Sequence, residues 1–447
     1  MGIISNLLFA IALIIGFGYF AKNVKSLVRN IKLGKDKDIS DNKPQRLKNM
    51  INIALGQSKM VKRPVSGFLH VVVYIGFIII NIEVLEIIID GLFGTHRIGL
   101  SVLPVSVYGF LIGTFEVLAV LVIVAVIVFW IRRNVIKIKR FLSSEMKGWP
   151  KSDGNIILYF EVVLMSLFLI MNGTDSTHII EATGTTFQGL NSGNIISQFI
   201  APLFSGLSEG TLHVIERSAW WIHILGILTF LNYLYYSKHL HILLAFPNVY
   251  YGKLTPKGQF PNNPTVTKEV MLMMDPDADP FAAAPETEGE EEPEKFGASD
   301  VQDLPWVNLL NAYTCTECGR CTSECPANLT GKKLSPRKIM MDTRDRLTEV
   351  GKNIDANKGV FVPDGKQLLN DYITPEELWA CTSCNACVEA CPVSIDPLSI
   401  IMEMRSYLVM EESAAPTELN NMMSNIENNG APWPYNQQDR LNWKDEA

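Results

Sequence analysis

Five long apolar stretches crowd the first 246 of 447 residues: Ile3 to Phe20, Val65 to Ile89, Val102 to Ile131, Ile156 to Met171 and Trp220 to Phe246. A helix needs about 20 apolar residues to cross a hydrocarbon core. The fourth stretch is short alone but extends through Thr174. A buried helix of a soluble protein keeps a polar face, and these stretches have almost none. They read as five transmembrane helices. The first lacks a basic leading region and its lysines follow the apolar run. It is expected to be an anchor with the N-terminus outside, not a cleaved leader.

Charge sets the expected orientation. Residues 22–63 hold twelve Lys and Arg, and residues 132–151 hold seven. The opposite loops, 91–103 and 172–218, hold one each, Arg97 and Arg217. Loops rich in Lys and Arg stay in the cytoplasm. Five spans then leave everything after about residue 247 in the cytoplasm, in a bacterial inner membrane.

All eight cysteines fall into two copies of one pattern. Cys315, Cys318, Cys321 and Cys325-Pro326 read C-x-x-C-x-x-C-x-x-x-C-P, and Cys381, Cys384, Cys387 and Cys391-Pro392 repeat it. Four thiolates at this spacing cage a [4Fe–4S] cluster, with the fourth cysteine of each run ligating the other cluster. Cys315, Cys318, Cys321 and Cys391 are therefore expected on one cluster, and Cys381, Cys384, Cys387 and Cys325 on the other. Disulfides would need an oxidising compartment. Zinc sites favour two short C-x-x-C pairs, not runs closing on proline.

The domains follow: a haem-bearing membrane domain over 1–250, an acidic flexible linker over 251–300, a two-cluster domain over 301–412 and a partner-docking tail over 413–447. Residues 275–300 carry ten acids, one lysine and four prolines, a composition that cannot bury a core. In the cluster domain, Ser335-Pro336, Thr374-Pro375 and Asp396-Pro397 each pair an N-cap with proline at the first helical position. Thr374 has Glu377 three residues on, a capping box. Strand signals are few, so the fold class is all-α: a five-helix cytochrome b bundle plus an α-helical ferredoxin domain. The tail carries Trp433, Tyr435 and Trp443 on a polar segment, and large aromatics of that kind anchor interfaces.

All seven histidines, at 70, 96, 178, 213, 223, 239 and 241, lie in the membrane half. Polar residues at membrane depth are costly and mark function, and paired imidazoles bind b-type haem iron. On one continuous helix His223 and His241, five turns apart, would face the same way at about 27 Å. His70, near the cytoplasmic end of the second span, is expected to share an inner haem with His241. His178 is expected opposite His223 on an outer one. His239 falls off that face as an interfacial neighbour of Lys238, and His213 falls before the last helix. Glu83, Glu86, Glu116 and Glu161 lie within spans, where carboxylates suggest proton transfer, quinone contact or interhelical bonding.

The last span, Trp220-Trp221-Ile222-His223 through Tyr236-Ser237-Lys238-His239-Leu240-His241, resembles the final haem helix of nitrate reductase gamma subunits and of heterodisulfide reductase membrane subunits. In that family two haem histidines stand 18 apart on this helix, matching His223 and His241. The chain departs from the pattern at Ile80, where nitrate reductase gamma carries a second ligand ten residues after the first. One or two haems b are therefore implied. The twin cysteine domain resembles the small iron–sulfur subunit of heterodisulfide reductases. The tail, Asn429-Gly430-Ala431-Pro432-Trp433-Pro434 and Arg440-Leu441-Asn442-Trp443, looks like the segment that joins such domains to a cysteine-rich CCG catalytic domain.

No G-x-G-x-x-G marks a nucleotide site, and no cysteine remains for a CCG pair. The chain reads as an oxidoreductase subunit that carries electrons without its own substrate site. The resemblance implies a CCG-domain iron–sulfur partner, electron-transfer flavoprotein or a similar cytoplasmic donor, and membrane quinone as acceptor. Quinol-driven reduction of disulfides or sulfur compounds is the alternative, or a membrane-anchored redox sensor. The cytoplasmic half shows no nucleic-acid patch.

Overall fold

The computed structural model describes residues 3–183, 194–256, 258–260, 262–276 and 295–445. The described residues are 72% helical. Among the described residues there is no strand, only two isolated bridges, so the all-α expectation holds. Five helices of the described residues are long and apolar enough to cross a membrane: α1 (Ile3–Ile31), α2 (Pro64–Phe93), α3 (Val105–Asn134), α4 (Trp149–Thr183) and α5 (Glu209–Tyr233).

Local chemistry sets their ends. Pro64 opens α2, where a missing N–H costs nothing, and Gly94 closes it at φ 71°. Ser208 caps α5, its hydroxyl accepting from the Thr211 N–H. Helix α4 packs along α5, α3 lies against α2 and α4, and α1 closes the ring against α5 and α2. Phe9, Ile112, Phe115, Phe168 and Ile224 fill the middle. Close approach requires glycine at 91, where a Cβ would stand 2.4 Å from the Phe9 ring. Large apolar side chains such as Ile14, Phe68 and Phe110 stay exposed on the ring's outside, as lipid-facing positions do.

The last apolar stretch is not one helix, which corrects the expectation that His223 and His241 share five unbroken turns. Helix α5 stops at Tyr233, a 3-10 turn covers Leu234–Tyr236, and Ser237 is extended at φ −114°, ψ 149°. A second helix, α6, runs from His241 to Tyr250. The freed backbone groups are satisfied locally. Asp153 on α4 accepts from the Tyr233 hydroxyl at 2.5 Å and from the Lys238 N–H at 3.1 Å, and Ser237 Oγ accepts from the His239 N–H. At the other end α5 begins at Glu209, so His213 lies on its second turn, exposed, and not before the helix.

The cluster module sits on the end of the bundle that carries the Lys- and Arg-rich loops. Its main helices are Trp306–Thr314, Pro336–Ala356 and Pro397–Met410. The three cap-plus-proline signals form as expected: Ser335 accepts from Lys338 N, Asp396 from Ser399 N, and Thr374 with Glu377 makes a reciprocal capping box. Arg346, fully buried, bonds both Asp300 and Asp364. Residues 295–300 pack into this module, with Ala298 and Ser299 buried, so it begins before residue 301. Between the halves lie a helix at Pro264–Met274 and the acidic run 277–294, which falls outside the described residues.

Docking is extensive. Leu27, Ile31, Phe230 and Leu234 of the bundle share one core with the module. Backbone bonds join Lys35 N to the Leu304 carbonyl at 2.9 Å and Trp306 N to the Lys35 carbonyl at 3.1 Å. Arg29 pairs with Asp355, and Asn30 Nδ2 donates to the Tyr313 hydroxyl at 3.0 Å.

Candidate functional site: two cysteine cages above a histidine cluster

Each cysteine run loops from an extended residue into a short helix capped in the left-handed region, by Gly319 at φ 70° and by Asn385 at φ 61°. The turns bring the runs together in exchanged fashion. Cys315, Cys318, Cys321 and Cys391 line one hollow with Arg320 and Arg337. Cys325, Cys381 and Cys384 line a second, and Cys387 reaches both. No cysteine is in a disulfide. Among the described residues no three His, Cys, Asp or Glu side chains converge as they would on a single ion. The thiols surround a space instead, the arrangement a four-iron cube requires.

Burial pushes the Cys315 thiol up to about 12 and that of Cys391 to about 11. Binding iron must therefore displace their protons. Backbone N–H groups aim at sulfur: Ile395 N lies 3.3 Å from Cys391 Sγ and Ser383 N 3.4 Å from Cys381 Sγ. The first hollow faces the bundle. Arg320 donates to the Lys59 and Met60 carbonyls just before α2. Glu317 pairs with Lys238 of the last-span break and with Arg344. The second hollow is farther out, and its Cys384 is exposed.

Directly beneath lie three imidazoles. The His70 and His241 rings are 6.3 Å apart, and the His239 and His241 rings 5.4 Å. His239 thus belongs to the cluster, which the helical-wheel argument missed because the helix breaks before it. The donor chemistry fits haem iron. His241 Nδ1 bonds the Lys238 carbonyl at 3.1 Å, which leaves Nε2 as the nitrogen that could ligate a metal. His70 Nδ1 is buried with no partner. Deeper in the bundle His223 is buried, its Nδ1 3.0 Å from the Leu164 carbonyl and its ring against Phe168. His178 lies on α4 but its side chain is outside the described residues, so the expected pair with His223 has one described member.

At the opposite end of the bundle the loop after α2 folds back. Asp90 accepts from Thr95 Oγ1 and from the N–H groups of Arg97 and Ile98. This turns Arg97 onto Asp175 at 2.7 Å, with His96 at 3.3 Å from the same carboxylate. Glu86 accepts from the Tyr108 hydroxyl, and Glu116 from Asn172, Ile196 and Ser197. The sequence signals for this cluster are Arg97, the one Lys or Arg of its loop, and the carboxylates Glu86 and Glu116 within the spans.

Fold and site define an all-α membrane protein with a two-cluster iron–sulfur domain docked on one end of its helix bundle. The 4Fe-4S dicluster domain family matches residues 314–395. The chain is 30% identical to the probable iron-sulfur-binding oxidoreductase FadF of Bacillus subtilis, over 100% of this chain and 61% of that protein. It is 25% identical to the EtfAB:quinone oxidoreductase of Syntrophomonas wolfei, over 96% of this chain and 57% of that protein. Over 24% of its length the chain is 32% identical to a subunit of the ferredoxin/F(420)H(2)-dependent CoB-CoM heterodisulfide reductase of Methanosarcina acetivorans, and it covers 52% of that relative. The expected likeness to heterodisulfide reductases is therefore found, and the relatives are oxidoreductases and subunits of them. The chain spans about three-fifths of the first two. No solved structure matches.

Proposed function

We propose that this chain carries electrons between a cytoplasmic donor and membrane quinone. The observation that carries the reading is the stacking of the cysteine hollows on the histidine cluster, joined by the Lys238–Glu317 pair. Two [4Fe–4S] clusters and haem b, when bound, supply one-electron relay sites. Cys325, Cys381, Cys384 and Cys387 hold the outlying cluster, where exposed Cys384 marks the electron entry. Cys315, Cys318, Cys321 and Cys391 hold the cluster nearer the bundle. His70 and His241 ligate the inner haem, and His223 with His178 the outer one.

Lys238 fixes the joint between the halves: its backbone N–H goes to Asp153, its ammonium to Glu317, and its carbonyl orients His241. The Lys- and Arg-rich loops support a module in the cytoplasm and an N-terminus outside. The relative named EtfAB:quinone oxidoreductase favours electron-transfer flavoprotein as donor and quinone as acceptor. A CCG-domain iron–sulfur protein is the expected catalytic partner, docked on the tail, where Trp433 and Trp443 are exposed. The likeness to a heterodisulfide reductase component supports a second reading, in which quinol drives reduction of a disulfide.

The test is haem spectroscopy of the purified chain. His70→Ala and His241→Ala should each remove the same b-type component. Loss of two different components would break the pairing.

A further inference from the structure

A pocket lies between α2, α3, α4, α5 and the loop after α2, at the end of the bundle away from the clusters. Its volume is about 30 Å³, room for a water or two and too little for a quinone ring. Most charged groups around it already have partners. On α2, Glu86 holds the Tyr108 hydroxyl and the Gly99 N–H, and Asp90 holds the folded-back loop. From that loop Arg97 and His96 are turned onto Asp175 of α4. On α5, Glu216 pairs with Arg217. Behind the lining, Glu116 of α3 is taken up by Asn172 and Ser197.

Glu83 differs. It lines the pocket, is 6% exposed, and its Oε2 has no hydrogen-bond partner. It lies ten residues, about 15 Å, from the end of α2. A carboxyl whose buried oxygen accepts no hydrogen bond can gain or lose a proton without breaking a bond in the network. Across the pocket stands Trp220, and His223 is one turn farther along α5.

We propose that Glu83 is a proton-binding site, filled from the outer face through this pocket, and that it couples proton uptake to reduction of the centre held by His223. The proposal rests on the haem reading above. Each electron that arrives from the clusters adds one negative charge beside His223. One proton from outside water, bound by the Glu83 carboxylate, offsets it. When the electron leaves to quinone the proton returns to the pocket water. The partnered carboxylates and Arg97 hold the pocket open and polar while Glu83 alone changes charge.

The test is a spectroelectrochemical titration of the full-length protein across pH 6 to 8, with electrochemically induced infrared difference spectra. One b-type component, the one that survives His70→Ala, should become harder to reduce as pH rises. The limit is a tenfold change in its reduction equilibrium per pH unit. Glu83→Gln should flatten that slope and abolish a carboxylic-acid C=O band that tracks the component. Glu86→Gln should leave both. An unchanged slope in Glu83→Gln overturns the proposal. So does the absence of a carboxylic-acid band from the unaltered protein, a result that stands even if the variant does not accumulate. If no component survives His70→Ala, the two-haem reading itself fails and the proposal falls with it. If two components titrate without pH dependence, only the proposal fails.

Discussion

Arg337 has no exposed surface, and its guanidinium is committed to Glu145 at 2.7 Å and to the Arg140 carbonyl at 2.6 Å, both in the loop between α3 and α4. Removing one partner of a buried pair leaves an uncompensated charge and costs about 3–5 kcal/mol. Arg337→Ala is therefore expected to loosen the module by that order, read as earlier denaturant release of iron with the haem still bound. Burial opposes ionisation of Glu145, yet Arg337 holds its carboxyl below the ordinary range. The folded value is depressed, so the contribution is complete above about pH 4.3 and is lost as pH falls through the folded value. Acid should detach the module, and Glu145→Gln should weaken this acid dependence. The exchanged cysteines give a sharper residue-scale result. Cys325→Ala should damage the cluster held by Cys381, Cys384 and Cys387, seen as loss of one of two cluster signals in electron paramagnetic resonance. Damage confined to the cluster of Cys315, Cys318 and Cys321 would refute the crossover. Cysteine identity was legible because spacing alone implies a cage. Arg320 and Arg337 were not, because nothing local to an arginine says that a fold will bury it beside thiols.

At the scale of elements, length and hydropathy were enough for the five spans, since a bilayer leaves little choice but helices. Helix joints were harder. The break after Tyr233 depends on Asp153, eighty residues earlier, whose carboxylate takes the Tyr233 hydroxyl and the Lys238 N–H. Hydropathy cannot register such a contact, so the wheel placed His239 off the site and the structure returned it. Asp153→Ala should leave buried donors unpaired at about 1–3 kcal/mol. Its signature should be a weakened or shifted inner haem spectrum, with the component held by His223 unchanged. Equal loss of both components would mean that the joint does not act locally. The helix caps of the cluster module were legible for the opposite reason: Thr374 and Glu377 are three residues apart and complete each other without tertiary help.

For the whole molecule, positive loops and docked module share one end of the bundle, and polar Glu83 with its partnered neighbours occupies the other. The proposed electron path runs from exposed Cys384, through the cage of Cys315, Cys318, Cys321 and Cys391, to His70 and His241. The most direct test reduces the clusters rapidly in the purified full-length chain, under anaerobic conditions with no other donor, and follows the b-type absorbance. Haem reduction should grow as the cluster signal decays, and His70→Ala should abolish the first fast phase while the clusters still reduce. Clusters that stay reduced beside fully oxidised haem in the unaltered protein would contradict the account.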